Sequence, residues 1–128
     1  KLNWHDLLKE TLIGSRHGNP VRTQLDFALA SVGLSLSFSH ETSLPLTTIG
    51  MVMGGLGVGV LTSSSRQVAE ALGLVLKPVG APTVQRDVAL VFHPGRSLSP
   101  AAKKFTEELQ EWASTMLEPD MQPRRGRG

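Results

Sequence analysis

The sequence predicts an α/β fold, a mostly parallel sheet flanked by helices, and three observations lead there. Short apolar runs of strand type alternate along the chain with segments whose apolar residues fall at helical spacing, the pattern left by parallel strands joined through helical crossovers. Several helical segments open on a capping residue followed by proline, as at Asn19-Pro20 and Ser99-Pro100, which fixes where they begin. Hydrophobic residues make up 40% of the 128, an ordinary share for a domain with one core.

Each element follows from local chemistry. Residues 10–14, ETLIG, are an apolar run stopped by glycine and read as a strand. Asn19 then offers its side chain to the first unpaired N–H groups of a helix, and Pro20 fits the first helical position, where its missing N–H costs nothing. Val21, Leu25, Ala28, Leu29 and Val32 follow at helical spacing as the core stripe, and Gly33 stands where a left-handed residue closes the helix. In residues 34–41, LSLSFSHE, Leu34, Leu36 and Phe38 alternate with Ser35, Ser37 and Ser39, the mark of a half-buried strand. Thr42-Ser43-Leu44-Pro45 predicts a second capped start, for an apolar helix over Pro45–Met53. Residues 58–61 read as a buried strand, 63–73 as a capped helix closed by glycine, and 74–80 and 86–95 as two further strands. Ser99 caps a last, long helix with Pro100 at its first position. Its stripe of Ala102, Phe105, Leu109, Trp112 and Met116 is the cleanest amphipathic signal in the chain.

Four glycines crowd the six residues from Gly54 to Gly59, which raises the question of a phosphate-cradling loop. A dinucleotide fingerprint places its glycines after a strand and at the start of a helix. Here the order is reversed, helix first and strand second. A P-loop also needs lysine after its last glycine, and no lysine lies between Lys9 and Lys77. Gly54 and Gly55 are therefore expected to end a helix, and Gly57 and Gly59 to let the following strand lie close to a neighbour.

No other constellation carries catalysis. His5, His17, His40 and His93 are scattered, without the i, i+4 pairing of a helical metal site. No Gly-x-Ser-x-Gly elbow occurs, and Glu107, Glu108 and Glu111 fall on the polar face of the last helix. The expectation is a binding protein rather than an enzyme, with no cofactor and no metal. The absence of cysteine rules out disulfides and thiolate metal sites. No apolar run approaches the roughly 18 residues of a spanning helix. The net charge is only +2, and Arg124, Arg125 and Arg127 contribute to a basic tail over 119–128 that is expected to be disordered. The start, Lys1-Leu2-Asn3-Trp4-His5, has no initiator Met and no signal-peptide core, which predicts a fragment or a processed chain.

A binding site is predicted by the fold class itself. In an open α/β sheet, ligands gather beyond the carboxyl ends of the strands, where helix N-termini point. Ser15, Arg16, His17 and Asn19 lie at one such junction and Thr42 and Ser43 at another. Together they would suit a carboxylate or similar small organic anion, with Arg16 as a bidentate partner.

The stretches LPLTTIGMVMGGLGVGVLTSSS, GLVLKPVG and RDVALVFHPGRSLSPAAKKFTEELQEW, in that order and spacing, resemble the C-terminal half of the effector-binding domain of LysR-type transcriptional regulators. Upstream, WHDLLKETLIGSRHGNPVRTQLDFALASVG resembles that family's entry into its second subdomain, so the likeness runs from about Leu7 to Trp112. It implies a Rossmann-like half of a type 2 periplasmic-binding-protein fold. The second subdomain would span about 7–83 and the crossover strand with the C-terminal helix about 84–118. The implied function is effector sensing in a cytoplasmic regulator, with DNA reached only through a helix-turn-helix domain that this sequence does not contain. A solute-binding module of the same fold is the alternative. The resemblance further implies dimer contacts through the first helix, on whose outer face Thr23, Phe27 and Ala30 lie, and through the strand after it.

Overall fold

A computed structural model of the protein describes residues 2–86 and 88–116; the tail expected at 119–128 lies outside them. The chain divides into two compact units, Lys1–Asp87 and Val88–Gly128.

The first unit runs β1 (Leu2–Asn3), a 3-10 helix (Trp4–Lys9), β2 (Leu12–Ser15), α1 (Pro20–Ala30), β3 (His40–Thr42), α2 (Pro45–Met53), β4 (Val58–Gly59), a 3-10 turn (Ser63–Ser65), α3 (Arg66–Ala71) and β5 (Val79–Gly80). Strands β3, β2 and β4 form one parallel sheet in that order, with Ile13 opposite both His40 and Gly59. A separate parallel pair joins β1 to β5. Strand β2 is flanked on both sides, which is why its sequence is a continuous apolar run rather than an alternating one. The chain passes from β2 through α1 to β3 on one side, then through α2 back across β2 to β4 on the other. Between β2 and β4 the strand order reverses, and that is where an open α/β sheet leaves a crevice.

The core gathers Leu12 of β2, Leu25 and Leu29 of α1, Leu36, and Trp4 and Leu7 of the first 3-10 helix. The Trp4 indole N–H donates to the Pro82 carbonyl at 2.7 Å, so its polar atom is satisfied inside the apolar cluster. Asn19 caps α1 as expected, its Oδ1 accepting from the Val21 N–H at 2.9 Å, with Pro20 in the first turn. Helix α2 spans the residues expected of it. Its start differs: the N-cap position is Leu44, with no side-chain hydrogen bond to the helix end. Thr42, expected to help cap it, is buried and bonded instead to Thr48 Oγ1 at 2.8 Å. Gly57 explains the glycine run. Its φ is +148°, and a Cβ there would collide with the Thr11 carbonyl, so the chain could not close onto β2 with any other residue.

Other expectations need correction, most of them because a strand requires a partner. Residues 34–38 keep the alternation of inward leucines and outward serines, yet the ladder begins only near His40. The stretch that would continue β2 backwards beside them, Trp4–Lys9, is wound into a 3-10 helix. Of 74–80 only Val79–Gly80 pairs, since β1 opposite is two residues long. Val32 is exposed, not in the core stripe, because α1 ends at Ala30 and the periodicity ends with it.

In the second unit, helix α4 (Pro100–Met116) starts where expected, the Ser99 hydroxyl accepting from the Ala102 N–H at 3.2 Å. The strand expected over 86–95 forms no ladder among the described residues, and Val88 and Val91 are 83% and 90% exposed. Phe105 and Trp112 of the α4 stripe are also exposed, at 66% and 53%.

Candidate functional site

Parallel strands put all their carboxyl ends on one side, and in the first unit three strand-to-helix junctions meet there around a cleft of about 350 Å³. That volume is at the small end of the range for sites that hold small organic ligands. Ser15, at the end of β2, and Asn19 and Pro20, at the start of α1, form one wall. Ser43 and Pro45 bring the start of α2 to it, and Val60, Leu61, Thr62 and Ser64 bring the chain leaving β4. Arg86 supplies the positive charge in the lining. Apolar and hydroxyl groups are thus mixed, and the amino ends of two helices open onto the same space, each carrying partial positive charge on its unpaired N–H groups.

Of the residues expected at the site, the fold brings Ser15, Asn19 and Ser43 into this lining and leaves Arg16, His17 and Thr42 outside it. The Arg16 backbone N–H donates to the Thr42 carbonyl at 2.9 Å, continuing the β2–β3 ladder, and its side chain is on the exposed loop. The His17 N–H already has an anion: it donates to Glu41 Oε2 at 3.2 Å. That backbone hydrogen bond, followed by the Arg22 guanidinium, holds the Glu41 carboxyl below the usual glutamate range.

Arg22 is the feature that periodicity misses. Its side chain is 11% exposed, unusually well covered for arginine on a surface helix. Nε faces both carboxylate oxygens of Asp26 at 2.8 and 2.9 Å, and Nη1 reaches Glu41 Oε1 at 3.0 Å and the Ser15 carbonyl at 3.3 Å. The guanidinium lies over the Phe38 ring, 4.1 Å from its centroid. Gly14 makes room for that ring, since a Cβ at Gly14 would run into it. Thr62 and Ser64, whose hydroxyls are 2.8 Å apart, were legible by the same rule that singles out the other two junctions: hydroxyl residues follow a strand and precede a helix. Arg86 sits in a loop with no such signature.

Among the described residues no helix is long and apolar enough to cross a membrane, and no cluster of three or more histidine or acidic side chains could hold a metal ion.

The LysR substrate binding domain family matches residues 1–114. Two relatives are an uncharacterized HTH-type transcriptional regulator of Shigella flexneri, YfeR, 28% identical over 114 residues, and one of Escherichia coli K12, YbhD, 26% identical over 104 residues. The alignments cover 89% and 81% of this chain but 37% and 33% of those proteins, so the chain spans about a third of their length. No solved structure gives a significant match. With its parallel strands, flanking helices and cleft at the strand ends, the chain belongs to the LysR substrate-binding domain family and has that family's type 2 periplasmic-binding-protein-like α/β architecture.

Proposed function

We propose that this chain is the effector-sensing part of a LysR-type transcription regulator and that it holds a small organic anion, a carboxylate with a short apolar body, in the cleft at the ends of β2, β3 and β4. One observation carries the ligand class: a single lining combines Arg86 and the hydroxyls of Ser15, Ser43, Thr62 and Ser64 with the apolar surface of Val60 and Leu61. A carboxylate would take the arginine and hydroxyl groups through charge-assisted hydrogen bonds, and an alkyl body would cover the valine and leucine. Arg86, in place of Arg16, is the anion partner in this reading, with Thr42 and His17 shaping the wall from outside. The domain works by binding rather than catalysis. The similarity to HTH-type transcriptional regulators favours a regulator over a solute-capture module. DNA contact would then belong to a helix-turn-helix part of a longer, cytoplasmic protein that acts as a homodimer or tetramer.

Calorimetric titration of the chain with hexanoate, as a probe carboxylate, tests the site. Arg86→Ala should weaken binding on the order of tenfold, the effect of losing about 1.4 kcal/mol. Ser43→Ala should weaken it less, and Arg16→Ala should leave it within about twofold, below 0.5 kcal/mol. A loss at Arg16 with none at Arg86 would move the anion to the loop.

A further inference from the structure

We infer that Arg22 is a positioning residue for the cleft: paired with Glu41 and seated on Phe38, it fastens the 16–19 loop so that Ser15 and Asn19 face the ligand space. The inference rests on the cleft being the ligand site, as proposed above. Arg22 does not line the cleft, so it acts only through what it holds. Its Nη1 takes the Ser15 carbonyl at the loop's entrance, and its partner Glu41 takes the His17 N–H in the loop's middle. The loop's exit is closed by Asn19, whose N–H donates to the Arg16 carbonyl at 3.2 Å and whose side chain caps α1. Ser15 and Asn19, the two cleft residues of this wall, thus flank a segment tied at its entrance and its middle to one guanidinium–carboxylate pair and closed at its exit by the α1 cap. The pair also spans elements, since Arg22 and Asp26 belong to α1 and Glu41 to β3. Lysine cannot replace this arrangement. A point charge on a flexible stem can meet one carboxylate, but only the planar fork reaches Asp26, Glu41 and a carbonyl at once while lying flat on a ring.

Two readouts on the full chain separate positioning from bulk stability. In amide hydrogen exchange, Arg22→Lys and Arg22→Gln should speed exchange of the 16–19 loop amides on the order of tenfold, with the β2 and α4 amides unchanged, as local opening requires. In titration with hexanoate, both variants should bind several-fold more weakly than the parent, while Ser43→Ala weakens binding with loop protection intact. If Arg22→Gln does not fold, Arg22→Lys and Glu41→Ala give the same two readouts. Unchanged loop exchange in the variants overturns the inference, as does faster loop exchange with unaltered hexanoate affinity. Hexanoate that fails to bind the parent chain at all overturns the cleft reading, and with it the positioning role, even where the loop loosens.

Discussion

Glu41 brings a negative charge to the loop between β2 and α1, beside the cleft. Its carboxylate meets the His17 N–H and the Arg22 guanidinium, and both favour the charged form, so its folded acidity is greater than that of a free glutamate. The sign of the consequence follows from linkage. A carboxyl whose pKa is depressed by folding stabilises the fold above its unfolded pKa, and the contribution disappears as pH falls through the folded value. The melting temperature of the parent chain should therefore exceed that of Glu41→Gln at neutral pH, and the gap should close as pH falls below about 4. The Glu41 carboxylate is exposed although Arg22 is covered, so the gap is small and shrinks further in high salt. A gap that persists unchanged into strong acid would show that charge at Glu41 plays no part. Little of this was legible in the sequence. Arg22 of α1 is distant along the chain from Phe38 and Glu41, and it meets them only once α1 and β3 have packed beside β2, with Gly14 opposite Glu41. Asn19 was legible because capping is local chemistry: the residue that caps and the N–H it serves are two positions apart.

The elements divide in the same way. Helices α1, α2 and α4 carry their start signals within three residues: α1 and α4 begin where capping residue and proline place them, and α2 begins at its proline without a side-chain cap. Strands carry only half of their definition, because the other half is the neighbour. Residues 34–38 and 86–95 show the expected apolar character, but their ladders depend on what lies alongside. Helix α1 shows how much periodicity alone supplies. Leu25 and Leu29 are buried, and Phe27, turned to the opposite side, is 80% exposed next to the small, exposed Thr23 and Ala30. A large aromatic ring flanked by small residues suits close approach of a second helix, with the ring as anchor. We propose self-association through this face. Sedimentation of the parent chain should then show concentration-dependent association that Phe27→Glu weakens on the order of tenfold or more, with the thermal transition retained, since Phe27 contributes nothing to the core. An association constant that does not respond to Phe27→Glu would make this face ordinary surface.

At the scale of the molecule, the first unit is an open parallel sheet whose order, β3-β2-β4, reverses beside its central strand. The parallel sheet was implied by the alternation of strand and helix signals; its strand order was not. The place of the cleft follows from it, because residues leaving three parallel strands must emerge on one side. The membership of the lining was less accessible. Ser15, Asn19 and Ser43 follow from the junction rule, but Arg86 arrives from a loop after β5 that only the folded chain brings to the cleft. In the reading proposed above, this cleft is where the domain meets its ligand. The most direct test is to follow the backbone amide resonances of the chain during titration with hexanoate. Saturable shifts should concentrate at Ser15, Ser43, Leu61, Thr62 and Arg86, and in Arg86→Ala all should need about tenfold more hexanoate to saturate. Shifts that saturate elsewhere in the chain and leave these five amides in place would contradict it.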